Sequence, residues 1–148
     1  MVSNSLIKTV ATGWENAAGA ISEQPITASG RMEFMAYETN TTRICGLSQT
    51  HSRGNQLEID FGIAIREDGY VAVYENGVLK GPFTTYDTGD VLIVDREGSI
   101  VRYKIRRYGQ SRDQEQTLYT SQKSSYGTLY VDAALYHINS TIVDAKIY

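Results

Sequence analysis

Apolar and polar residues alternate in segment after segment of this chain, and this alternation constrains the fold more than any other feature. In LEIDFGIAI, residues 57–65, large apolar residues occupy every second position. The segment RMEFMAY repeats the pattern, with Met32, Phe34 and Ala36 on one face. A period of two is typical of a β-strand with one buried face, and no segment shows helical spacing over more than a turn or two. The sequence therefore predicts an all-β protein.

Turn-forming residues separate the predicted strands at nearly regular intervals. Asn76-Gly77 lies between GYVAVYE and VL, and this dipeptide tolerates the positive φ that a tight hairpin needs. A second hairpin is predicted in DVLIVDREGSIVRYKI, turning near Glu97-Gly98, and TLYVDAALY and STIVDAKIY follow as further strands. Such spacing predicts an antiparallel sandwich or barrel. We expect two sheets packed face to face, with a core that includes Leu57, Ile59, Phe61, Ile63, Ile65, Val71, Val73, Val91 and Ile93.

The bulk properties of the 148 residues restrict the class of protein. The length fits a single domain spanning residues 1–148, and we find neither a linker nor an internal repeat. The net charge of −3 argues against nucleic-acid binding, and no apolar run approaches the roughly 18 residues needed for membrane insertion. The segment MVSNSLIKTV lacks the apolar core of a secretory signal, which leaves a removed signal or excision from a longer chain as alternatives.

Charge is distributed unevenly along the chain. Residues 96–123 contain seven Lys/Arg and three Asp/Glu residues, so this segment carries +4 and the remainder −7. Such an excess predicts either a local basic site or an ordinary solvated face.

The chain offers few metal ligands. Cys45 is the one cysteine and is flanked by apolar residues, so we expect a small buried side chain. With only two histidines, the chain does not provide a Cys/His zinc site. In YDTGDV, Asp87 and Asp90 resemble part of a calcium loop, but calcium takes six to eight oxygen ligands. We therefore expect a structural turn there and no cofactor, with calcium as the alternative.

Glu58 and Asp60 are predicted to point outward from one strand face. This Glu-x-Asp arrangement resembles the carboxylate pair of laminarinase-type β-glucanases. Those enzymes also need a third carboxylate two or three residues beyond the aspartate, where this chain has Gly62 and Ile63. We therefore expect no enzymatic activity, and a degenerate glycoside hydrolase is the least favoured alternative. The two carboxylates remain candidate hydrogen-bond acceptors for sugar hydroxyls.

Two polar loops are the candidate recognition surfaces, because loops on a rigid sheet commonly carry binding residues. They are SQTHSRGNQ, residues 48–56, and RYGQSRDQEQT, residues 107–117. Arginine and asparagine offer well-defined hydrogen-bond donors, and an exposed tyrosine offers a flat apolar face with a polar tip. The candidate ligand-binding residues are Arg53, Asn55, Glu58, Asp60, Arg107, Tyr108 and Arg112.

Three aromatic residues carry separate expectations. Trp14 lies among small residues in TGWENAAGA, so packing in the core or at a sheet edge is favoured, with ligand stacking as the alternative. Tyr103 alternates with Arg102 and Lys104 and is expected to face the core. Tyr108 lies in the second polar loop and is expected to be exposed.

An ordered series of motifs runs along the chain: GWENAAGAISEQ, CGLS, IDFGIAIREDGYVAVYENG, YDTGDVLIV and LYVDAALYHINSTIVDAKI. The series resembles the concanavalin A-like jelly-roll module of bacterial secreted and surface multidomain proteins, within the lectin and laminin-G-like superfamily. The resemblance covers nearly the whole chain and implies an antiparallel β-sandwich of the concanavalin A-like jelly-roll type. The chain departs from the pattern at RRYGQSRDQEQT, which expands the turn before LYTS. This insertion is the first candidate for a specialised surface.

Relatives by fold include lectins, carbohydrate-binding modules, laminin-G-like domains and glycosidases, so the resemblance alone does not fix the function. We expect a non-catalytic, lectin-like binding module that recognises glycans by shallow surface contacts. The positively charged segment favours an acidic glycan. A structural or adhesion module that binds protein, the flanking domains of a longer chain or copies of itself is the alternative. A secreted or cell-surface location is expected.

Overall fold

The computed structural model describes residues 5–14, 19–49 and 56–148, and within them the regular structure is mainly β-strand. The strands are β1 (Leu6–Ile7), β2 (Gly19–Ile26), β3 (Ser29–Met35), β4 (Arg43–Ser48), β5 (Phe61–Ile65), β6 (Tyr70–Glu75), β7 (Val78–Thr85), β8 (Val91–Glu97), β9 (Ile100–Arg106), β10 (Gln116–Thr120), β11 (Leu129–Leu135) and β12 (Thr141–Ile147). Two 3-10 helices, Gln56–Glu58 and Arg112–Gln114, interrupt the series. This part of the chain contains no helix that is long and apolar enough to cross a membrane.

The described strands form two six-stranded antiparallel sheets. Sheet I has the order β1-β12-β3-β8-β9-β10, and sheet II has the order β2-β11-β4-β5-β6-β7. Neighbouring strands are often distant in sequence, since β3 pairs with β12 and β8, and β11 pairs with β2 and β4. The predicted all-β antiparallel sandwich is therefore confirmed.

Apolar side chains from both sheets fill the space between them. Met32 and Phe34 of sheet I lie in the same buried cluster as Phe61, Ile63 and Val73 of sheet II. The alternation predicted for these strands is confirmed at each of these positions. Cys45, Ile65, Val71 and Tyr103 are buried in the same cluster, as expected.

The two predicted hairpins are present. Asn76 and Gly77 join β6 to β7, and both have positive φ, at 50° and 80°. This is the backbone that a two-residue hairpin of matching twist requires. The second hairpin turns at residues 98–99 between β8 and β9, with Gly98 at a φ of 60°.

The start of β5 differs from the prediction. The strand begins at Phe61, and Gln56–Glu58 forms a 3-10 turn in which Leu57 is 55% exposed. Ile59 is buried outside the main core, and its carbonyl accepts a hydrogen bond from the N–H of Asn76. Because the 3-10 turn breaks the period of two, Glu58 and Asp60 do not share a strand face.

The inward face of β8 is also opposite to the prediction. Leu92 and Val94 enter the core, whereas Val91 is half-buried and Ile93 lies outside the main cluster. All four residues of VLIV are apolar, so alternation alone cannot choose the face. Pairing with β3 decides it: Phe34 lies opposite Leu92, and Glu33 lies opposite Ile93.

A second apolar cluster covers the outer face of sheet II. Ile44, Ala64 and Ala134 are adjacent in register on β4, β5 and β11, and they point away from the main core. Trp14 and Tyr74 pack against this cluster and are half-buried. These two rings form part of the surface described next.

Candidate functional site

An open groove lies on the outer face of sheet II, with a volume of about 730 Å³. Its floor and walls combine aromatic rings with hydrogen-bonding side chains. The groove is lined by Trp14, Thr42, Arg66, Glu67, Asp68, Tyr74 and Tyr136. We call this surface the aromatic groove.

Packed rings in tilted and edge-on contact form one wall of the aromatic groove. The ring centroids of Trp14 and Tyr136 lie 5.1 Å apart with their planes tilted by 54°, and His137 packs edge-on against Tyr136 at 4.8 Å. Trp14 packs half-buried on the outer face of sheet II, over the central strands β4 and β5, and not in the main core or at a sheet edge. The same ring also lines the groove.

A buried lysine holds the Trp14 segment against the end of β11. The Lys8 ammonium donates hydrogen bonds to the carbonyl oxygens of Gly13 at 2.7 Å and Tyr136 at 2.9 Å. The N–H of Gly13 also donates to the Tyr136 carbonyl, at 2.9 Å. These contacts bring two residues far apart in sequence, Trp14 and Tyr136, into ring contact.

The turn between β5 and β6 supplies the polar rim. Arg66 Nε donates to Asp68 Oδ1 at 3.2 Å, and Arg66 Nη2 binds the second carboxylate oxygen. These hydrogen bonds lower the pKa of the Asp68 carboxyl and raise that of the Arg66 guanidinium. Glu67 is held by its backbone N–H, which donates to Thr42 Oγ1 at 3.0 Å.

The backbone fixes the tautomer of His137. The N–H of Thr42 donates to His137 Nδ1 at 2.8 Å, so Nδ1 is the acceptor and the neutral ring carries its proton on Nε2. Nε2 lies 3.5 Å from Glu67 Oε2. The ring that supports Tyr136 therefore also faces the carboxylate at the groove rim.

From the sequence, Trp14 is expected mainly to pack, and the other residues that line the groove are not identified as site residues. Two local signals were available: the polar REDG turn between two apolar strands, and the outward position of Tyr74 in VAVY. Neither signal shows that Trp14 and Tyr136 meet beside them, because that contact depends on the order of strands in sheet II.

The structure separates the inserted tip from the described flank of the first loop. Arg107 contacts Thr84 and Thr85, which pair with Val71 and Tyr70 at the start of β6. Asp60, which follows the first loop, lies beside Asn76 at the other end of β6. Arg53 and Asn55 lie outside the described residues, and Glu58 is exposed. The flank of the first loop and the inserted tip thus lie at opposite ends of the sandwich.

The inserted tip is anchored to the sheets. Arg107 donates to Asp90 Oδ2 at 2.9 Å, and the N–H of Tyr108 donates to Asp90 Oδ1 at 3.0 Å. The Arg112 guanidinium lies over the Tyr148 ring, 4.3 Å from its centroid. Tyr108 itself is 81% exposed, as expected. The arginines of the tip are therefore engaged within the protein, and its tyrosine is available to a ligand.

The positive excess of residues 96–123 is offset by tertiary contacts. Lys104, Arg106, Arg107 and Lys123 each lie within 4.0 Å of a carboxylate from outside that segment. The partner carboxylates are, in the same order, Asp95, Glu33, Asp90 and Asp60. Asp95 precedes the segment by a single residue. The cations at these four positions are therefore paired, so the +4 charge of the segment does not give a surface of unpaired cations there.

The YDTGDV segment forms a hydrogen-bonded turn. Besides its bonds to the tip, Asp90 Oδ2 accepts from the N–H of Asp87 at 3.0 Å. The Asp90 carboxylate is therefore surrounded by donors from the protein, as a structural turn requires. The described part of the chain contains no group of three or more His, Cys, Asp or Glu side chains arranged to hold a metal ion.

Comparison with known proteins identifies the class of fold. No family model matches the sequence, and no curated protein matches it. The legume lectin-like domain from Entamoeba histolytica superposes with a TM-score of 0.61 at 9% identity, covering 97% of this chain and 82% of that one. The TRIM65 PSpry domain superposes with a TM-score of 0.60 at 16% identity, covering 86% of this chain and 71% of that domain. The VIP36 exoplasmic/lumenal domain in its Ca²⁺/Man2-bound form superposes with a TM-score of 0.58 at 10% identity, covering 88% of this chain and 70% of that domain.

These structures share the jelly-roll sandwich of the concanavalin A-like type, and the chain described here has the same fold. At such low identity the likeness shows the fold alone.

Proposed function

We propose that this protein is a non-catalytic carbohydrate-binding module that holds its ligand in the aromatic groove. The observation that carries the proposal is the Trp14–Tyr136 ring pair beside the hydrogen-bonding turn of Arg66, Glu67 and Asp68. One face of a sugar ring is apolar and its edges are hydroxylated. A groove with aromatic walls and a polar rim matches both properties.

The carboxylates of the groove suit binding better than catalysis. Glycoside hydrolysis needs a carboxylic acid that stays protonated long enough to donate its proton, and therefore has a raised pKa. The pKa of Asp68 is instead lowered by Arg66. Asp68 is thus an ionised acceptor at neutral pH. Lectin-like structures with bound mannose among the solved neighbours also support a binding role for this fold.

A glycan array with groove variants tests the proposal. Wild-type protein, Trp14→Ala and Tyr136→Ala are compared, and folding of each variant is checked by circular dichroism. Tyr126→Ala is the control, because Tyr126 is 72% exposed and lies near Lys123, at the opposite end of the sandwich. We expect both groove variants to lose the array signal and the control to keep it. Equal binding by all four folded proteins would exclude the groove.

The inserted tip is a second candidate site, for an acidic glycan, because Tyr108 is 81% exposed. Shortening residues 107–117 to an Asn-Gly turn would also remove Glu115 and Arg107, the partners of Arg31 and Asp90. Tyr108→Ser is a cleaner test, since the anchoring contacts stay. If Tyr108→Ser weakens binding while Trp14→Ala does not, the tip is the site.

A structural or adhesion role, with a protein, flanking domains or a second copy as partner, is the alternative proposal. It would be favoured if folded wild-type protein bound no glycan on the array. A secreted or cell-surface location is also proposed, on the basis of the sequence resemblance. A residual hydrolase would be revealed by β-glucan turnover that Glu58→Gln abolishes.

A further inference from the structure

We propose that the aromatic groove selects neutral or amino sugars and discriminates against uronates and sulfated sugars. This inference rests on the proposed glycan-binding function and names the class of glycan. It is opposite to the acidic ligand expected from the charge of residues 96–123, because the groove and that segment are different surfaces.

Among the residues that the structure describes, the charged side chains lining the groove are one cation, Arg66, and two anions, Glu67 and Asp68. Arg66 is paired with Asp68 through two hydrogen bonds, so its charge is already compensated. Glu67 is the remaining lining charge, with a side chain that is 62% exposed. A ligand in the groove therefore meets a net negative surface.

The basic side chains behind the groove, Lys8 and His137, do not make the surface of the groove positive. Lys8 is almost completely buried, and its ammonium donates to two backbone carbonyls behind Trp14. His137 accepts the Thr42 N–H on Nδ1, as a neutral ring does. To bind a ligand carboxylate, the guanidinium of Arg66 would have to break its hydrogen bonds to Asp68.

Carboxylate oxygens accept hydrogen bonds and cannot donate them when ionised. Sugar hydroxyls and a protonated amino group can donate to Glu67 and Asp68, and an ammonium would also be attracted by the ring faces of Trp14 and Tyr136. A uronate or sulfate would bring an anion next to these acceptors. Such like-charge contacts are a common means of rejecting a wrong partner.

Fluorescence titration of the single tryptophan tests the preference, because Trp14 lies in the groove. The probes are a neutral mannotriose, a glucosamine trimer and a trimannuronate. We expect the neutral or amino trimer to bind at least about tenfold more tightly than the uronate. Raising NaCl from about 20 to about 500 mM should strengthen uronate binding by screening repulsion and leave mannotriose binding nearly unchanged.

Substitutions at the two exposed carboxylates of the groove give the decisive comparison of neutral-sugar and uronate binding. Glu67→Gln removes the negative charge that Arg66 does not compensate, and it should reduce the difference in affinity between mannotriose and trimannuronate. Asp68→Asn leaves Arg66 without its carboxylate and should improve uronate binding. Glu97→Gln removes an equal charge from a largely exposed side chain at the end of β8 in sheet I, away from the groove, and is the matched control.

The possible outcomes separate the two proposals. Trimannuronate binding as tight as mannotriose binding, or uronate binding that weakens in Asp68→Asn, would overturn the charge preference and leave the glycan site standing. If none of the three trimers changes Trp14 fluorescence and the array is blank, glycan binding and the preference that rests on it both fail.

Discussion

The hydroxyl group of Tyr103 donates a hydrogen bond to the carboxylate of Glu75 across 2.8 Å inside the sandwich. Tyr103 belongs to β9 of sheet I and Glu75 to β6 of sheet II, so this polar contact joins the two sheets. Both side chains are buried. The interior thus contains a specific hydrogen bond in addition to its apolar contacts.

Replacement of Tyr103 by phenylalanine should lower the free energy of unfolding by about 2 kcal/mol, because the buried Glu75 carboxylate loses its donor. Urea denaturation monitored by circular dichroism measures the change. Tyr119→Phe is the control, since Tyr119 lies beside Tyr103 at 6.1 Å and is only half-buried. An equal loss in both variants would contradict a specific role for the hydrogen bond.

The same tyrosine should make stability depend on alkaline pH. Burial, with a further contribution from Glu75, raises the pKa of Tyr103 well above its usual value. A raised folded-state pKa gives stability that is fully present below the unfolded pKa, near about 10, and is lost as pH rises beyond it. Between the unfolded-state and folded-state pKa values, each such tyrosine lowers the free energy of unfolding by about 1.4 kcal/mol per pH unit. Urea midpoints measured across this range should therefore fall less steeply in Tyr103→Phe, and parallel curves would contradict the assignment.

Cys45 should be a probe of global unfolding. Its thiol is buried, and burial raises its pKa, so the reactive thiolate is disfavoured in the native protein. We expect an Ellman-type reagent to modify native protein at least about a hundredfold more slowly than protein in urea. Because the chain has one cysteine, the signal reports a single site. Rapid modification in native buffer would indicate that β4 opens locally.

Arg43 should be among the most costly side chains to remove. It is fully buried, and its guanidinium donates to backbone carbonyls of Glu38, Thr41 and Thr141 and pairs with the Glu38 carboxylate at 2.9 Å. Arg43→Met leaves these acceptors unpaired, and we expect a loss of about 3 kcal/mol in the free energy of unfolding.

The matched control for Arg43 is an arginine at the surface. Arg102 pairs with Glu97 at 3.0 Å, and the Glu97 side chain is largely exposed. Arg102→Met should cost less than about 1 kcal/mol. Similar losses in the two variants would show that burial does not set the contribution of these ion pairs.

Local patterns were sufficient for much of the fold. The alternation of Met32 and Phe34, the Asn76-Gly77 turn and the inward position of Tyr103 all follow from the two-residue period of a strand and the backbone freedom of turn residues. Local patterns gave wrong predictions where they were ambiguous. VLIV around Ile93 is apolar on both faces, and the 3-10 turn that contains Leu57 is not visible in an alternating sequence.

The binding surface depends on contacts between distant parts of the chain. Trp14, Arg66 and Tyr136 meet only because β4, β5, β6 and β11 are neighbours in sheet II. Tertiary contacts likewise decide charge, since Glu33, Asp60 and Asp90 offset the cations of a segment that looks basic by itself. The sequence alone therefore determined the class of fold, because strand periodicity and turn chemistry act between near neighbours. Only the tertiary structure decided the groove and its charge, because strand order brings together residues that no local pattern connects.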